Sequence, residues 1–324
     1  MTKDLENIIK LVDKKVMAQL PSEDGYPSKL VEAMNYAMQA GGKRIRPTLL
    51  YLSYKMMLEG GNEPNADTVD AKDAVEACDA FMAAIEMIHT HSLIHDDLPA
   101  LDNDSLRRGK PTVHVAFNES TAILAGDALL NYAYETINKY ICYICSVGEE
   151  KSEGRDNSDL LLSLIKASNE LSQATGIHGM LGGQALDVEL SGEPTTTEDR
   201  DYIYDHKTCA LIKAPLKIGA FLAGCDGDII DALGRVGYLV GMAFQVQDDI
   251  LDVTSSAEKL GKEVNQDARN EKNTFVAEYG LERAKEYVRE CSEEAIDIVR
   301  SKVPESKFRA LMIELIEFLI VRDN

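Results

Sequence analysis

The chain has 324 residues, of which 45% are hydrophobic and 27% charged, a globular balance rather than a disordered or fibrous one. A formal net charge of −21 argues against a protein that grips a nucleic-acid backbone, because the phosphates would be repelled. A small phosphorylated ligand stays compatible with that charge, since it needs only a local cationic patch or a divalent ion held on carboxylates.

Apolar residues recurring at three and four predict helices over 3–19, 28–40, 45–59, 69–97, 119–143, 158–176, 177–190, 198–206, 208–224, 228–253, 281–301 and 305–321. The breaks "PSEDGYPS", "GGNEPNAD", "VGEEKSEGRDNSD" and "SGEPTTTEDR" carry the Gly, Pro, Ser, Asn and Asp of turns. Thr197, followed by Glu198 and Asp199, reads as a helix N-terminus with its acceptor and first-turn charge. No alternating pattern predicts a strand, no repeat recurs at a fixed period, and no break is long enough to be a linker. The expected fold is all-α, a single domain over 1–324.

The start, "MTKDLENIIKLVDKKV", has no basic stretch leading into an apolar run, so no secretory signal is expected. No apolar run reaches 18 residues without a charge, so no transmembrane segment is expected. Six scattered cysteines, at 78, 142, 145, 209, 225 and 291, suit the reduced thiols of a soluble cytoplasmic protein. Cys142 and Cys145 form a lone CxxC without a second pair, which reads as helix packing.

Four stretches carry chemistry. "GGKRIRP", Gly41 to Pro47, joins two predicted helices and holds Lys43, Arg44 and Arg46 where backbone amides favour anions. It fits a solvated basic loop and a phosphate grip equally well.

The second stretch is "LIHDDLPALDNDSLRRGKPTVH", with Asp96, Asp97, Asp102 and Asp104 followed by Arg107, Arg108 and Lys110. On an unbroken helix Asp96 and Asp102 would lie about 120° apart. Pro99 cannot donate to the carbonyl of His95, so the helix should end or bend there, and the two carboxylates converge only if 98–101 bulges. His89, His91 and His95 precede them at helical spacings, either as packed histidines or, for His91 and His95, as a metal pair. Without an HExxH arrangement, zinc hydrolysis has little support.

The third stretch is "FQVQDDILD", Phe244 to Asp252. Asp248 and Asp252 lie about 40° apart on one helical face, and Gln245 and Asp249 repeat that relation beside them. Apolar flanks make a metal or ligand role more credible here than an exposed acidic face. Carboxylates without nearby cysteine favour Mg²⁺ over Zn²⁺. The last stretch, "DHKTCALIKAP", supplies Lys207 and Thr208, and "KLGKE" supplies Lys262; each alone is a weak signal.

These motifs, with "AILAGDALL" and "GMLGGQALDVEL" between them, resemble in their order the trans-prenyltransferases, specifically short-chain bacterial farnesyl diphosphate synthases and their geranylgeranyl relatives. The likeness runs from about Leu30 to the C-terminus. It implies a large helical bundle of the isoprenoid synthase type with a deep central pocket, a homodimer, and Mg²⁺ as cofactor, three ions per site with substrate bound. Asp96, Asp97, Asp102, Asp248 and Asp249 match the metal positions, assisted by Asp252. Lys43, Arg46, His89 and Arg108 match those binding isopentenyl diphosphate; Arg107, Lys207, Thr208, Gln245 and Lys262 match those around the allylic diphosphate.

Where many bacterial farnesyl synthases carry Tyr, at the fifth position before Asp96, this chain has His91, followed by Ser92. On a helix those positions lie about one turn, roughly 5 Å, deeper than Asp96, so their bulk can set product length. Ser105 replaces an Asp common in the family, and "EVNQDARNEKNTFVAEYG" departs from its usual Gly-x-Asp and Thr-Tyr-Pro forms. The expected activity is head-to-tail condensation of isopentenyl diphosphate with dimethylallyl or geranyl diphosphate to give farnesyl diphosphate (C15). The alternatives are a geranylgeranyl (C20) product, a non-catalytic partner subunit, and a metal phosphohydrolase built on "HDD". The last would leave the second acidic motif without a purpose.

Overall fold

The computed structural model describes residues 1–59, 71–150, 158–258 and 274–320. Its elements, in chain order, are α1 (Lys3–Met17), α2 (Ser28–Met38), α3 (Ile45–Glu59), α4 (Ala71–Asp96), a two-stranded hairpin of β1 (Leu106–Arg107) and β2 (Lys110–Pro111), and α5 (Val113–Ala116). There follow α6 (Glu119–Glu150), α7 (Ser158–Thr175), α8 (Met180–Glu189) and α9 (Thr197–Ile203). A π-helical turn (Tyr204–Cys209) leads into α10 (Ala210–Leu222), then α11 (Gly227–Glu258), α12 (Phe275–Tyr279), α13 (Leu281–Lys302) and α14 (Lys307–Ile320). The fold is all-α, as the periodicity predicts.

Which helices lie inside follows from how widely their apolar residues spread. α1 buries Leu5, Val12 and Val16, and α13 buries Ala284, Val288, Cys291, Ala295 and Val299; each is a single stripe suited to an outer helix. α3 and α10 instead bury residues on every side, from Leu49, Leu50 and Leu52 in α3 to Leu211, Ile212, Ala214 and Leu216 in α10. α10 packs against α3, α7 and α11, while α4 lies against α6 and α3, and α11 against α13. Burying each such Leu or Ile contributes about 1.5–3 kcal/mol.

α3 and α10 approach closely because Gly219 has no side chain. A Cβ there would stand 2.5 Å from the Leu50 carbonyl oxygen and 2.8 Å from the Tyr54 nitrogen. Beside it, the Ser53 hydroxyl donates to the Leu216 carbonyl at 2.6 Å, which satisfies a buried polar group inside the contact.

Three expectations change. A hairpin exists where no strand was expected: Arg108 (φ 53°) and Gly109 (φ 76°) both take left-handed conformations, the geometry of a two-residue hairpin turn. The cap of α9 is Thr196, one residue before the expected Thr197; it accepts from the Asp199 nitrogen, and Asp199 accepts in return from the Thr196 nitrogen. Thr197 donates to Glu278 at 2.9 Å. Cys142 and Cys145 lie on α6 but are exposed, so packing does not explain them. By length and composition alone, α11 also passes the test for a membrane-crossing helix. More than half of its apolar window, 56%, is buried inside the protein, as in a core helix.

Candidate active site

The "GGKRIRP" loop is fixed from beneath. Arg44, 4% exposed, donates to Glu86 and Asp13, both at 2.7 Å, and to the Met38 carbonyl at the same distance. Glu86 is itself buried, so removing either partner would strand a charge at a cost of about 3–5 kcal/mol. Arg44 takes a left-handed φ of 48°, and that backbone strain is held by these contacts. Arg44 thus serves as a strut for the loop that carries Lys43 and Arg46. Lys43 and Arg46 line an open cleft together with Arg44, Glu86, His89, Arg108 and Phe244. Arg108 reaches it from the hairpin turn and donates to the Gly41 carbonyl. A Cβ on Gly42 would lie 2.5 Å from the Arg108 guanidinium, so the second glycine of the loop is what admits that side chain. Burial and the surrounding Arg46, Arg108, Arg107 and Arg44 hold the His89 pKa well below its usual value, leaving a neutral imidazole among arginines.

The first acidic motif bulges as Pro99 requires. α4 ends at Asp96, and the Asp102 nitrogen returns to donate to the Asp96 carbonyl at 2.9 Å, while Asn103 donates to Leu98 from a left-handed φ of 54°. Asp96 accepts from Gln184 Nε2 at 2.8 Å. Burial, against the pull of Lys207 and with the push of Asp102, raises its pKa to about 6. Asp97 takes another direction: it is buried and chelates Arg107, with Nε at 2.7 and 2.9 Å and a terminal nitrogen at 2.6 Å. Both residues line a small pocket with Tyr36 and Thr90, apart from the cleft that Asp96 faces.

That cleft is lined by Asp96 and Gln184 on one side and by Lys207, Thr208, Gln245 and Asp248 on the other. It shares Arg46, His89 and Phe244 with the basic cleft, so the two are adjoining compartments. Lys207 and Thr208 project from the π turn, whose extra residue per turn interrupts the regular spacing of the helix, as such turns often do at functional sites. Lys207 is paired with Asp187 of α8, and Thr208 donates to Gln245 Oε1 at 2.7 Å. The backbone of Lys207 can lie against α8 only because Gly183 leaves room. Asp249, 4% exposed, faces the far side of this wall and accepts from Tyr204 Oη at 2.6 Å. Asp252 is half-buried further along α11. Lys262 lies outside the described residues.

The apolar end of the cleft is lined by Met180, Leu181, Leu211, Ser92 and His91. The Nδ1 of His91 donates to the Gly126 carbonyl at 3.0 Å and its ring stands edge-on to His95, centroids 4.6 Å apart, while His95 Nε2 lies 3.2 Å from the Ile123 carbonyl. Ser92 donates to the His89 carbonyl at 2.9 Å. Of the two readings open for His91 and His95, the structure therefore places both rings against α6 carbonyls.

Among the described residues no three His, Cys, Asp or Glu side chains cluster closely enough to form a metal cage on their own. The donors that do face one another, Asp96 and Asp248 across one cleft, are hard oxygens. That suits Mg²⁺, which takes one or two carboxylates and completes its shell with water and phosphate. Gln184 and Asp187, which contact Asp96 and Lys207, were not singled out in the sequence; their i, i+3 spacing in "GGQALD" was the available signal. Tyr204 was likewise missed.

The polyprenyl synthetase family profile matches residues 27–313. The chain belongs to the polyprenyl synthetase family. This synthetase is 40% identical to the farnesyl diphosphate synthase of Micrococcus luteus over 306 residues, 94% of this chain and 92% of that one. It is 37% identical to the geranylgeranyl diphosphate synthase of Cyanophora paradoxa over 305 residues, 93% and 90% of the two chains. Among solved structures it is similar to a Helicobacter pylori geranyltransferase complexed with magnesium and isoprenyl diphosphate, at a TM-score of 0.73 and 30% identity, covering 98% of this chain and 95% of that one.

Proposed function

We propose that this polyprenyl synthetase condenses isopentenyl diphosphate with dimethylallyl and then geranyl diphosphate, in the presence of Mg²⁺, and stops at farnesyl diphosphate. The observation that carries the proposal is the pair of adjoining clefts: Lys43, Arg46 and Arg108 in one, Asp96 and Asp248 facing each other in the next, with Arg46 and His89 common to both. Two diphosphates can thus be held side by side with their hydrocarbon tails directed into the apolar end.

In this reading Lys43, Arg46 and Arg108 grip the diphosphate of isopentenyl diphosphate, and neutral His89 adds a hydrogen bond without further charge. Asp96, Asp102 and Asp248 are the carboxylates that would hold Mg²⁺, which when bound offsets the charge of the departing allylic diphosphate. Lys207, exchanging Asp187 for phosphate, orients that leaving group. The allylic cation left behind lies near the oxygens of Thr208 and Gln245, whose lone pairs favour it without forming a bond. The double bond of isopentenyl diphosphate attacks, and the proton lost passes to the released diphosphate. No side-chain nucleophile is needed, and the magnesium in the Helicobacter pylori complex supports the choice of ion.

Stopping at C15 rests on His91. Its ring is packed on His95 and anchored to α6, a fixed obstacle at the apolar end. Relatives of both product lengths support C20 as the second reading. The test is turnover with Mg²⁺, dimethylallyl diphosphate and isopentenyl diphosphate, with the alcohols sized after dephosphorylation. A C15 alcohol from the wild type, lengthened by His91→Ala and kept at C15 by His91→Tyr, is expected. A C20 alcohol would keep the chemistry and move the stop elsewhere. No extension by folded protein would favour a non-catalytic partner subunit.

A further inference from the structure

Asp249 belongs to an acidic motif, yet its carboxylate is committed to a hydrogen-bonded wall behind the cleft. Oδ2 accepts from Tyr204 Oη at 2.6 Å and from the Phe275 nitrogen at 3.3 Å; Oδ1 accepts from Gln245 Nε2 at 3.3 Å. Gln245 in turn accepts from Thr208 at 2.7 Å. A continuous chain of hydrogen bonds thus runs from the backbone at the start of α12, through Asp249, to the two polar groups that line the cleft. Tyr204 and Thr208 belong to the same π turn, four residues apart, so Asp249 holds that turn at both ends: Tyr204 directly and Thr208 by way of Gln245.

The wall is braced from outside as well. Arg200, 4% exposed, lies over the rings of Tyr204, Phe275 and Tyr279 at 6.0, 5.4 and 5.4 Å and pairs with Glu278. Tyr204 therefore has little freedom to leave Asp249. Asp248, the adjacent residue, points the other way into the cleft with Asp96. One step along a helix turns a side chain by about 100°, which is enough to place the two carboxylates on opposite sides of the wall.

We propose that Asp249 is a positioning residue rather than a metal ligand: with Tyr204 it sets the π turn and Gln245 so that Lys207, Thr208 and Gln245 present their polar groups to the allylic diphosphate and the cation derived from it. This rests on the proposed condensation for the identity of the ligand. It separates two neighbouring aspartates by role, Asp248 toward the ion and Asp249 toward the wall. The consequence is selective: loosening the wall weakens the allylic half of the site and leaves the Lys43–Arg46–Arg108 cleft, which none of these bonds reaches, unchanged.

The experiment compares wild type, Tyr204→Phe, Asp249→Asn, their double variant and Asp248→Asn, each first checked for helical content and unfolding temperature. Calorimetric titration with geranyl diphosphate in the presence of Mg²⁺ gives the allylic Kd, and titration with isopentenyl diphosphate gives the other. Steady-state kinetics add both KM values and the Mg²⁺ concentration for half-maximal rate. Tyr204→Phe and Asp249→Asn are each expected to weaken the allylic Kd and KM about tenfold, the usual effect of losing one charge-assisted hydrogen bond. The isopentenyl values and the Mg²⁺ midpoint should stay within about twofold, and the double variant should be no worse than the poorer single one, because both remove the same contact. Asp248→Asn should shift the Mg²⁺ midpoint. An Mg²⁺ midpoint moved as far by Asp249→Asn as by Asp248→Asn would make Asp249 a ligand and overturn the proposal. Equal weakening of both diphosphates, or strictly additive effects, would reduce the wall to general structural support and overturn it too. Wild type that binds both diphosphates without turning over would fail the condensation instead, while the Kd pattern still decides for or against Asp249.

Discussion

His91 sits 3% exposed between α4 and α6, and that burial, with His95 beside it, drives its pKa down to about 4 even though the Gly126 carbonyl and Asp127 pull the other way. In the unfolded chain the same imidazole titrates near about 6.5. Between those values the unfolded state binds a proton that the folded state refuses, so His91 costs stability as pH falls from about 6.5 to about 4 and no further below that. His91→Phe keeps a ring in the site and removes the titration. Relative to that variant, the wild type should lose up to about 3 kcal/mol over this interval and nothing above neutrality. Urea unfolding at a series of pH values measures it. Parallel pH profiles for the two proteins would mean that His91 titrates alike folded and unfolded. The same residue was marked in the sequence for its bulk one turn beneath Asp96; its hydrogen bond to Gly126 is made to a helix residue 35 positions away and has no local sign.

The contact between α3 and α10 is an interface that only a small residue can make. Gly219→Ala would push a methyl group into the Leu50 carbonyl, 2.5 Å away, and neither backbone can yield inside a packed core. The expected loss is about 1–3 kcal/mol, read as a lower urea midpoint at unchanged slope. Gly227→Ala, at the start of α11 where a Cβ would meet nothing within 4 Å, is the control and should stay within about 0.5 kcal/mol. A Gly219→Ala midpoint matching the control would mean that the helices separate freely. At this scale the sequence was informative where a pattern repeats: α3 was expected at 45–59 and runs Ile45–Glu59, and α13 was expected at 281–301 and runs Leu281–Lys302. It was silent where an element is shorter than its own period or differs only in hydrogen bonding. α12, with five residues, completes little more than a turn. The π turn has the composition of any helix, so a break was expected at residue 207, where the chain in fact continues through Lys207 into α10. The acidic and basic residues that line the clefts were singled out from their motifs and from the family resemblance. Their directions could not be read this way, because Asp96 and Asp97, or Asp248 and Asp249, differ by one step of rotation that only the packing of the helix fixes.

The molecule as a whole carries a charge of −21, yet one wall of its cleft is lined with Lys43, Arg46 and Arg108. The carboxylates of the adjoining compartment would repel a diphosphate, and the described residues offer no three-ligand cage that would hold a divalent ion by themselves. Under the proposed function, these facts fit together if ion and diphosphate arrive as mutual ligands. The carboxylates would bind the ion more tightly with phosphate oxygens completing its shell, and a diphosphate would be tolerated beside Asp96 and Asp248 only with the ion between them. Mg²⁺ and inorganic diphosphate should therefore raise the unfolding temperature jointly by more than the sum of their separate effects. At ligand concentrations about a hundred times Kd, the added stability would be about 2.7 kcal/mol. Asp96→Ala should abolish the excess while leaving the unfolding temperature without ligand within a few degrees, because Asp96 sits at the end of α4 and lines a cleft rather than the core. Thermal unfolding of wild type and Asp96→Ala with Mg²⁺, with diphosphate and with both measures the excess directly. A strictly additive result would separate the two sites and remove Asp96 from the bridge between them.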